Sequence, residues 1–144
     1  MKVPKKILTV FGTRPEIIKL APVIHEVEAH PMTFASINVT SAQHTDLLYP
    51  FIQLFGIRID HNMKVMEPNQ SLNQVCSRVL LAFDPILEKA QPDLILVQGD
   101  TTTAIPIATP GAPGTPVILA GAAPVSAFAS SAPVTWACAI TPAS

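Results

Sequence analysis

The chain has 144 residues and a mass of 15.3 kDa, the size of one ordinary domain or of a piece of a larger protein. Hydrophobic residues make up 49% of it and charged residues 13%, and the formal net charge is −1. This balance argues against a nucleic-acid partner, and the many Val, Ile and Leu residues argue against disorder along the whole length. Two cysteines, Cys76 and Cys138, are too few for a disulfide scaffold or a four-cysteine metal site.

The charge is distributed unevenly. All charged residues and all histidines lie at or before Asp100, and residues 101–144 are mostly Ala, Pro, Thr, Ser and Gly. We therefore predict two parts, an N-terminal part at 1–104 and an atypical, charge-free tail at 105–144. Because no charge keeps the tail's surface soluble, we expect it to promote aggregation.

Neither end of the chain has the pattern of a membrane or export segment. The apolar run after the basic start is short and ends at Gly12, so we expect no secretory signal there. The most apolar window of the tail, residues 117–129, contains Pro124 and is shorter than the roughly 20 residues of a membrane-spanning helix. We expect no membrane partner.

The first elements are a strand and a helix. Residues 6–11 have the β-prone, apolar pattern of a buried parallel strand, and residues 12–14 form a turn. Pro15 suits the first position of a helix, with Glu16 in its first turn. We expect Pro22 to kink or interrupt that helix.

A second strand, a helix and a weaker strand follow. The strand is predicted at 34–40 and the helix at 46–55, where Pro50 predicts a short or bent helix. Gly56 is the expected stop of that helix. The signal for a third strand over 57–66 is weak.

The last elements are a long helix and the clearest strand. Ser71 and Gln74 have the spacing of a capping box, which predicts a helix to about Lys89, bent at Asp84-Pro85. Residues 93–98 form the clearest strand, and residues 117–119 are a further candidate.

Alternating strands and helices predict an α/β fold with a parallel sheet. Ligands of such sheets bind beyond the carboxyl ends of the strands, near helix N-termini. The turns at residues 12–14 and 99–101 occupy that position after the first and the last clear strands.

The first turn has the composition of an anion site. Gly12 would let an anion approach the backbone, Arg14 can form two hydrogen bonds with a phosphate, and Lys19 adds a charge one turn later. The alternative is a capped helix with solvated charges. Neither a dinucleotide fingerprint nor a P-loop is present.

The second turn offers a carboxylate. Asp100 follows a strand end, where it could act as a general acid or base. The alternative, favoured from spacing alone, is that Asp100 caps a helix through the Thr102 or Thr103 amide.

Other candidates are weaker. His44 is interpreted as a surface or hydrogen-bonded loop histidine, and Cys76 as a small core residue. Met63 and Met66 are interpreted as packing residues.

Three segments, in this order, carry a family resemblance: Val10-Phe11-Gly12-Thr13-Arg14-Pro15-Glu16-Ile17-Ile18-Lys19-Leu20-Ala21-Pro22, Ser41-Ala42-Gln43-His44 and Pro92-Asp93-Leu94-Ile95-Leu96-Val97-Gln98-Gly99-Asp100-Thr101-Thr102-Thr103. They resemble the non-hydrolysing UDP-N-acetylglucosamine 2-epimerases, and the resemblance covers roughly residues 5–104.

The resemblance implies a Rossmann-like sheet that is part of the first domain of a two-domain GT-B architecture. It also implies interconversion of UDP-GlcNAc and UDP-ManNAc by anti elimination and re-addition of UDP, usually by a cytoplasmic homodimer that serves bacterial polysaccharide synthesis. No redox cofactor and no obligatory metal are expected. The implied partner is the UDP-sugar substrate.

The resemblance also assigns residues. Gly12, Arg14 and Lys19 match the nucleotide-sugar site, and Asp100 matches a substrate-binding carboxylate proposed for acid–base work. Gln43 and Gln70 match positions where some members bind a second, regulatory substrate molecule. Asp46 and Asn69 depart from the residues of those members, so regulation is not inferred.

Beyond Ala104 the sequence departs from the family. Pro106 and Pro110 interrupt the expected helix, and no glutamate follows Glu88 to supply the second catalytic carboxylate. We expect these 144 residues by themselves to have little or no turnover. The alternatives are a non-catalytic nucleotide-binding module, an inert fragment and a remnant of a GT-B glycosyltransferase.

Overall fold

The computed structural model describes residues 3–42, 45–99, 101–104 and 115–120. Strands and helices alternate along this part of the chain, as the sequence predicts. In chain order the elements are β1 (Lys5–Phe11), α1 (Arg14–Ala29), β2 (Phe34–Thr40), α2 (Thr45–Leu54), β3 (His61–Asn62), α3 (Leu72–Ala90), β4 (Leu94–Gln98) and β5 (Val117–Ala120).

The strands form one parallel sheet in the order β3-β2-β1-β4-β5. β1 is central and pairs along its length with β2, from Lys5 opposite Phe34 to Phe11 opposite Thr40. On its other side Ile7 pairs with Leu94 and Val10 with Val97. The chain crosses from one side of β1 to the other between β3 and β4, so the strand order reverses at β1 and β4.

Apolar side chains cover both faces of the sheet. On one face α3 contributes Val75, Val79 and Phe83 to a core with sheet residues such as Leu8 and Ile95. On the other face α1 and α2 contribute the buried residues Ile17, Leu20, Ala21, Ile24, Leu48 and Ile52. Burial on both faces explains why β1 and β4 are almost continuously apolar.

Three prolines lie inside helices that continue past them, namely Pro22 in α1, Pro50 in α2 and Pro85 in α3. Pro22 therefore does not interrupt its helix, contrary to that half of the expectation. All three prolines are exposed, so each ring lies on the solvent side of its helix. The buried face of each helix keeps its packing, which provides most helical stability.

Other boundaries differ from the sequence prediction in detail. The weak strand signal over 57–66 corresponds only to the two residues of β3, which pair with the end of β2. The predicted strand over 117–119 is confirmed by β5, which pairs with β4. Gly56, with φ 61°, follows α2 as expected. The boundary proposed at residue 104 remains a prediction.

Two predicted packing residues are less buried than expected. Cys76 is only half-buried, because it faces the loop after β4, where its thiol donates to the Thr102 carbonyl at 3.9 Å. Met66 is 43% exposed, whereas Met63 packs against the core on the α3 face. Helical or strand periodicity does not distinguish such rim positions from the core.

Candidate functional site

The candidate site lies at the carboxyl ends of β1 and β4. These strands are parallel neighbours, so the loops that follow them leave the same edge of the sheet. The β1 loop consists of Gly12 and Thr13, and the β4 loop begins at Gly99 and includes Thr101. Because the strand order reverses here, this edge is the topological switch point at which doubly wound sheets bind ligands.

A buried carboxylate joins the two loops. Glu16 is 2% exposed, and its Oε2 accepts hydrogen bonds from the Gly12 amide at 2.6 Å and the Thr13 amide at 3.0 Å. The Thr101 hydroxyl donates to the other oxygen of the same carboxylate. Glu16 therefore binds the backbone of one loop and a side chain of the other.

This arrangement differs from the role in anion binding that the sequence predicted for Gly12. The amides of Gly12 and Thr13 point to an internal carboxylate, so they are engaged within the protein rather than presented to an anion. The Thr13 hydroxyl is buried and has no hydrogen-bond partner within the described ranges. The anion-binding capacity of this edge therefore depends on cationic side chains.

Arg14 and Lys19 are the candidate cations, and both are exposed on α1. The Arg14 guanidinium carbon lies 5.4 Å from the centroid of the Phe51 ring on α2. A cation over an aromatic face at this distance is attracted by the electron-rich face of the ring. The contact orients Arg14 at the start of its helix while leaving its N–H groups accessible.

A second link ties the β2 end to the β4 loop. The hydroxyls of Ser41 and Thr103 are 2.8 Å apart, and both residues are buried. The Ser41 amide also donates to the Phe11 carbonyl at 3.0 Å. Loops after three neighbouring strands are thus joined by buried hydrogen bonds at one edge of the sheet.

Three residues singled out from the sequence, Asp100, Gln43 and His44, lie outside the described residues. The structure does describe Gly99 and Thr101, the sequence neighbours of Asp100. Gly99 has a φ of 87°, a backbone conformation that favours glycine. The roles proposed for Asp100 and Gln43 remain predictions.

Gln70 holds a loop together in this structure. Its Oε1 accepts from the Glu67 amide at 2.7 Å, and its Nε2 donates to the Val65 carbonyl at 3.0 Å. These bonds close the turn that precedes α3. A regulatory role for Gln70 remains a prediction.

Sequence reasoning missed several side chains that build this edge. It treated Glu16 as a first-turn acid, although the spacing Thr13-x-x-Glu16 is a known pattern at helix starts. It did not single out Phe51, and it named Ser41 only as part of a segment that resembles the family. Nothing in the local sequence connects Phe51 to Arg14, or Ser41 to Thr103.

Two properties hold for the part of the chain that the structure describes. Within it, no group of three or more His, Cys, Asp or Glu side chains is placed to hold a metal ion. None of its helices is both long and apolar enough to cross a membrane.

The strand order and the linked loops define a Rossmann-like α/β protein with a candidate ligand site at the switch point. A family model described as UDP-N-acetylglucosamine 2-epimerase matches residues 25–115. The chain therefore belongs to the UDP-N-acetylglucosamine 2-epimerase family, which confirms the resemblance seen in the sequence.

Individual relatives agree with this assignment. A UDP-N-acetylglucosamine 2-epimerase of Salmonella typhimurium is 47% identical over 100 residues, which are 69% of this chain and 26% of that protein. One of Neisseria meningitidis is 45% identical over 98 residues. The chain spans about a quarter of the length of these relatives.

Solved structures show the same fold. The Neisseria meningitidis enzyme bound to UDP-GlcNAc superposes with a TM-score of 0.69 and 39% identity, over 79% of this chain and 31% of that one. A UDP co-structure of MnaA from S. aureus gives a TM-score of 0.71 and 31% identity, over 81% and 30%. The predicted fold class, a Rossmann-like sheet that is a partial first domain of a GT-B architecture, is confirmed.

Proposed function

We propose that this chain is the N-terminal part of the first domain of a UDP-GlcNAc 2-epimerase, and that its switch-point edge binds the UDP-sugar. The enzyme interconverts UDP-GlcNAc and UDP-ManNAc in the cytoplasm and supplies polysaccharide synthesis. The family resemblance implies that the working form is a homodimer. The observation that carries the proposal is the pair of loops joined by Glu16, with the exposed cation Arg14 beside them.

The proposed reaction needs no net oxidation or reduction. A base removes the proton on C2 of the sugar while the bond between C1 and the UDP oxygen breaks, which gives a 2-acetamidoglucal and UDP. UDP then adds back to C1 as a proton is delivered to the opposite face of C2. The nucleotide must stay bound between the two steps, because its escape would end the cycle.

Arg14 and Lys19 are the residues of this edge suited to hold the diphosphate. A guanidinium forms paired hydrogen bonds with phosphate oxygens, and the ammonium of Lys19 adds a point charge. The start of α1 is already engaged by the Glu16 carboxylate, so these two side chains supply the positive charge. Asp100 is proposed as the carboxylate for proton transfer, on its match to the family motif.

Calorimetric titration of the 144-residue chain with UDP and with UDP-GlcNAc tests the binding part of the proposal. We expect heat with both ligands and a loss of roughly ten- to hundred-fold in affinity for Arg14→Ala, since a hydrogen bond to a charged group contributes about 1.5–3 kcal/mol. Lys89→Ala is the matched control, because Lys89 is exposed in the last turn of α3, whose end contacts Lys6 at the opposite, amino end of the sheet.

The outcomes separate the alternatives. Absence of heat with the folded chain contradicts binding and favours an inert fragment. An equal loss in Arg14→Ala and Lys89→Ala contradicts a specific site and indicates general charge attraction.

Turnover is tested by hydrogen exchange at C2 of UDP-GlcNAc in deuterium oxide, followed by proton NMR. We expect no exchange above background with the 144 residues alone. No glutamate follows Glu88 in them, so the second catalytic carboxylate of the family motif is missing. Exchange at a rate typical of the family would contradict this part of the proposal, and binding without exchange matches a nucleotide-binding module.

A further inference from the structure

Glu16 is a buried charged residue to which the proposed reaction assigns no role. Burying a carboxylate is unfavourable unless hydrogen bonds compensate for the lost water. Here three donors supply that compensation, two from the β1 loop and one from Thr101. An apolar residue in this place would leave these three buried donors without an acceptor, so the conformation of both loops depends on this one carboxylate.

We propose that Glu16 is a positioning residue that sets the distance between the β1 and β4 loops, and thereby the place of Arg14 at the ligand edge. This proposal rests on the proposed function. Arg14 lies between Thr13, whose amide Glu16 binds, and Glu16 itself. The backbone of Arg14 is therefore fixed on both sides by one side chain.

The β4 loop is fixed by the same carboxylate. The Thr101 hydroxyl donates a hydrogen bond to Glu16 and accepts one from the Ala104 amide at 3.3 Å. Glu16 is thereby linked to the backbone of the β4 loop. Gly99 packs close by, because a Cβ built on it would lie 3.9 Å from Glu16 Oε1. A movement of Glu16 would release both loops together.

The chemistry of the three bonds predicts which replacements are tolerated. Gln keeps the length of the side chain, and its oxygen can accept both amides while its NH₂ donates to the Thr101 hydroxyl. Asp is one methylene shorter and cannot reach both loops from the same backbone position. The requirement is therefore for geometry and bond count rather than for negative charge.

The first test is titration with UDP and UDP-GlcNAc of the variants Glu16→Gln, Glu16→Ala, Thr101→Ser and Thr101→Val. We expect Glu16→Ala to lose roughly tenfold in affinity and Thr101→Val roughly fivefold, with the Gln and Ser variants within about twofold of the original. The double variant Glu16→Ala with Thr101→Val should lose less than the sum of the two single losses, because both single variants remove the same bond between the two residues.

A control separates positioning from stability. Asp93→Asn removes hydrogen bonds to Lys5 and Lys6 at the opposite, amino end of the sheet, so it lowers stability without touching the loops. Unchanged affinity in Asp93→Asn shows that lower stability alone does not weaken binding. If Glu16→Ala and Thr101→Val are folded and bind like the original chain, the positioning proposal is overturned.

Amide hydrogen exchange of the unliganded chain keeps this test independent of the proposed function. We expect Glu16→Ala to speed exchange at Gly12, Thr13 and Ala104 by at least roughly tenfold, and Thr101→Val to do so at Ala104. Absence of UDP binding by the original chain would contradict the proposed function only. Unchanged exchange at all three amides in folded Glu16→Ala would contradict the positioning role.

Discussion

Arg14 at the start of α1 lies over the ring of Phe51 in α2, with its guanidinium carbon 5.4 Å from the ring centroid. Phe51 is itself held by the core on that face and by Phe55, whose ring centroid is 6.3 Å away. The aromatic ring is thus a fixed support beneath a side chain that otherwise has many rotamers. Ordering of Arg14 before ligand binding lowers the entropy lost when a diphosphate is bound.

Replacement of Phe51 by Leu should weaken UDP binding about two- to five-fold, because an exposed cation–π contact contributes about 0.5–1 kcal/mol. Phe51→Tyr keeps an aromatic face and should bind like the original chain. Titration calorimetry of both variants, with folding checked by circular dichroism, measures the difference. Equal affinities for the Leu and Tyr variants would show that the ring does not orient Arg14.

Leu8 in the central strand should be critical for stability. Its side chain is fully buried between the strands and α3, so Leu8→Ala should lower the free energy of unfolding by about 2–5 kcal/mol. Leu81→Ala is the matched control, because Leu81 on α3 is 73% exposed and should change stability by less than about 0.5 kcal/mol. Urea unfolding provides both values, and similar losses would contradict the observed packing.

The amino end of the sheet should have an acid-sensitive contact. Asp93 accepts from Lys5 Nζ at 2.6 Å and from the Lys6 amide at 2.9 Å, and these hydrogen bonds hold the pKa of Asp93 below its usual 3.8. Since the folded pKa is lowered, the stabilisation is complete above pH 3.8 and is lost as the pH falls through the folded value.

Asp93→Asn should therefore lower the melting temperature at neutral pH, and the difference from the original chain should disappear well below pH 3.8. Because the pair is exposed, salt should reduce the effect at neutral pH. Melting curves over a pH series at low and high salt measure this. A difference that stayed constant across the whole pH range would point to packing rather than charge.

Ser71 should stabilise the start of α3. Its hydroxyl accepts from the Gln74 amide at 3.3 Å, and the Gln74 side chain accepts from the Ser71 amide at 2.7 Å. Ser71→Ala should lower the free energy of unfolding by about 1 kcal/mol, whereas Ser71→Thr retains the acceptor and should cost less. Urea unfolding of the two variants is the measurement, and identical losses would exclude the cap.

Much of the fold could be predicted from the sequence. The apolar runs of β1 and β4, the turn residues after them and the Ser71 cap are local patterns, and local patterns specify strands, turns and helix starts. That α1 continues past Pro22 could not be predicted, because the sequence does not show that this proline lies on the exposed side of a packed helix. The weak signal over 57–66 yields only two strand residues, because the length of a strand depends on its pairing, here with the end of β2.

By itself the sequence determined the α/β class, the family, the turn that contains Arg14 and the turn that follows β4. Only the tertiary structure decided that Glu16 joins those turns, since its bond to Thr101 spans 85 positions of the chain. The contact of Arg14 with Phe51 and the pairing of Ser41 with Thr103 were decided in the same way. The physical reason is that periodicity reports which side of one element is buried, whereas contacts between loops depend on how the strands are ordered in the sheet.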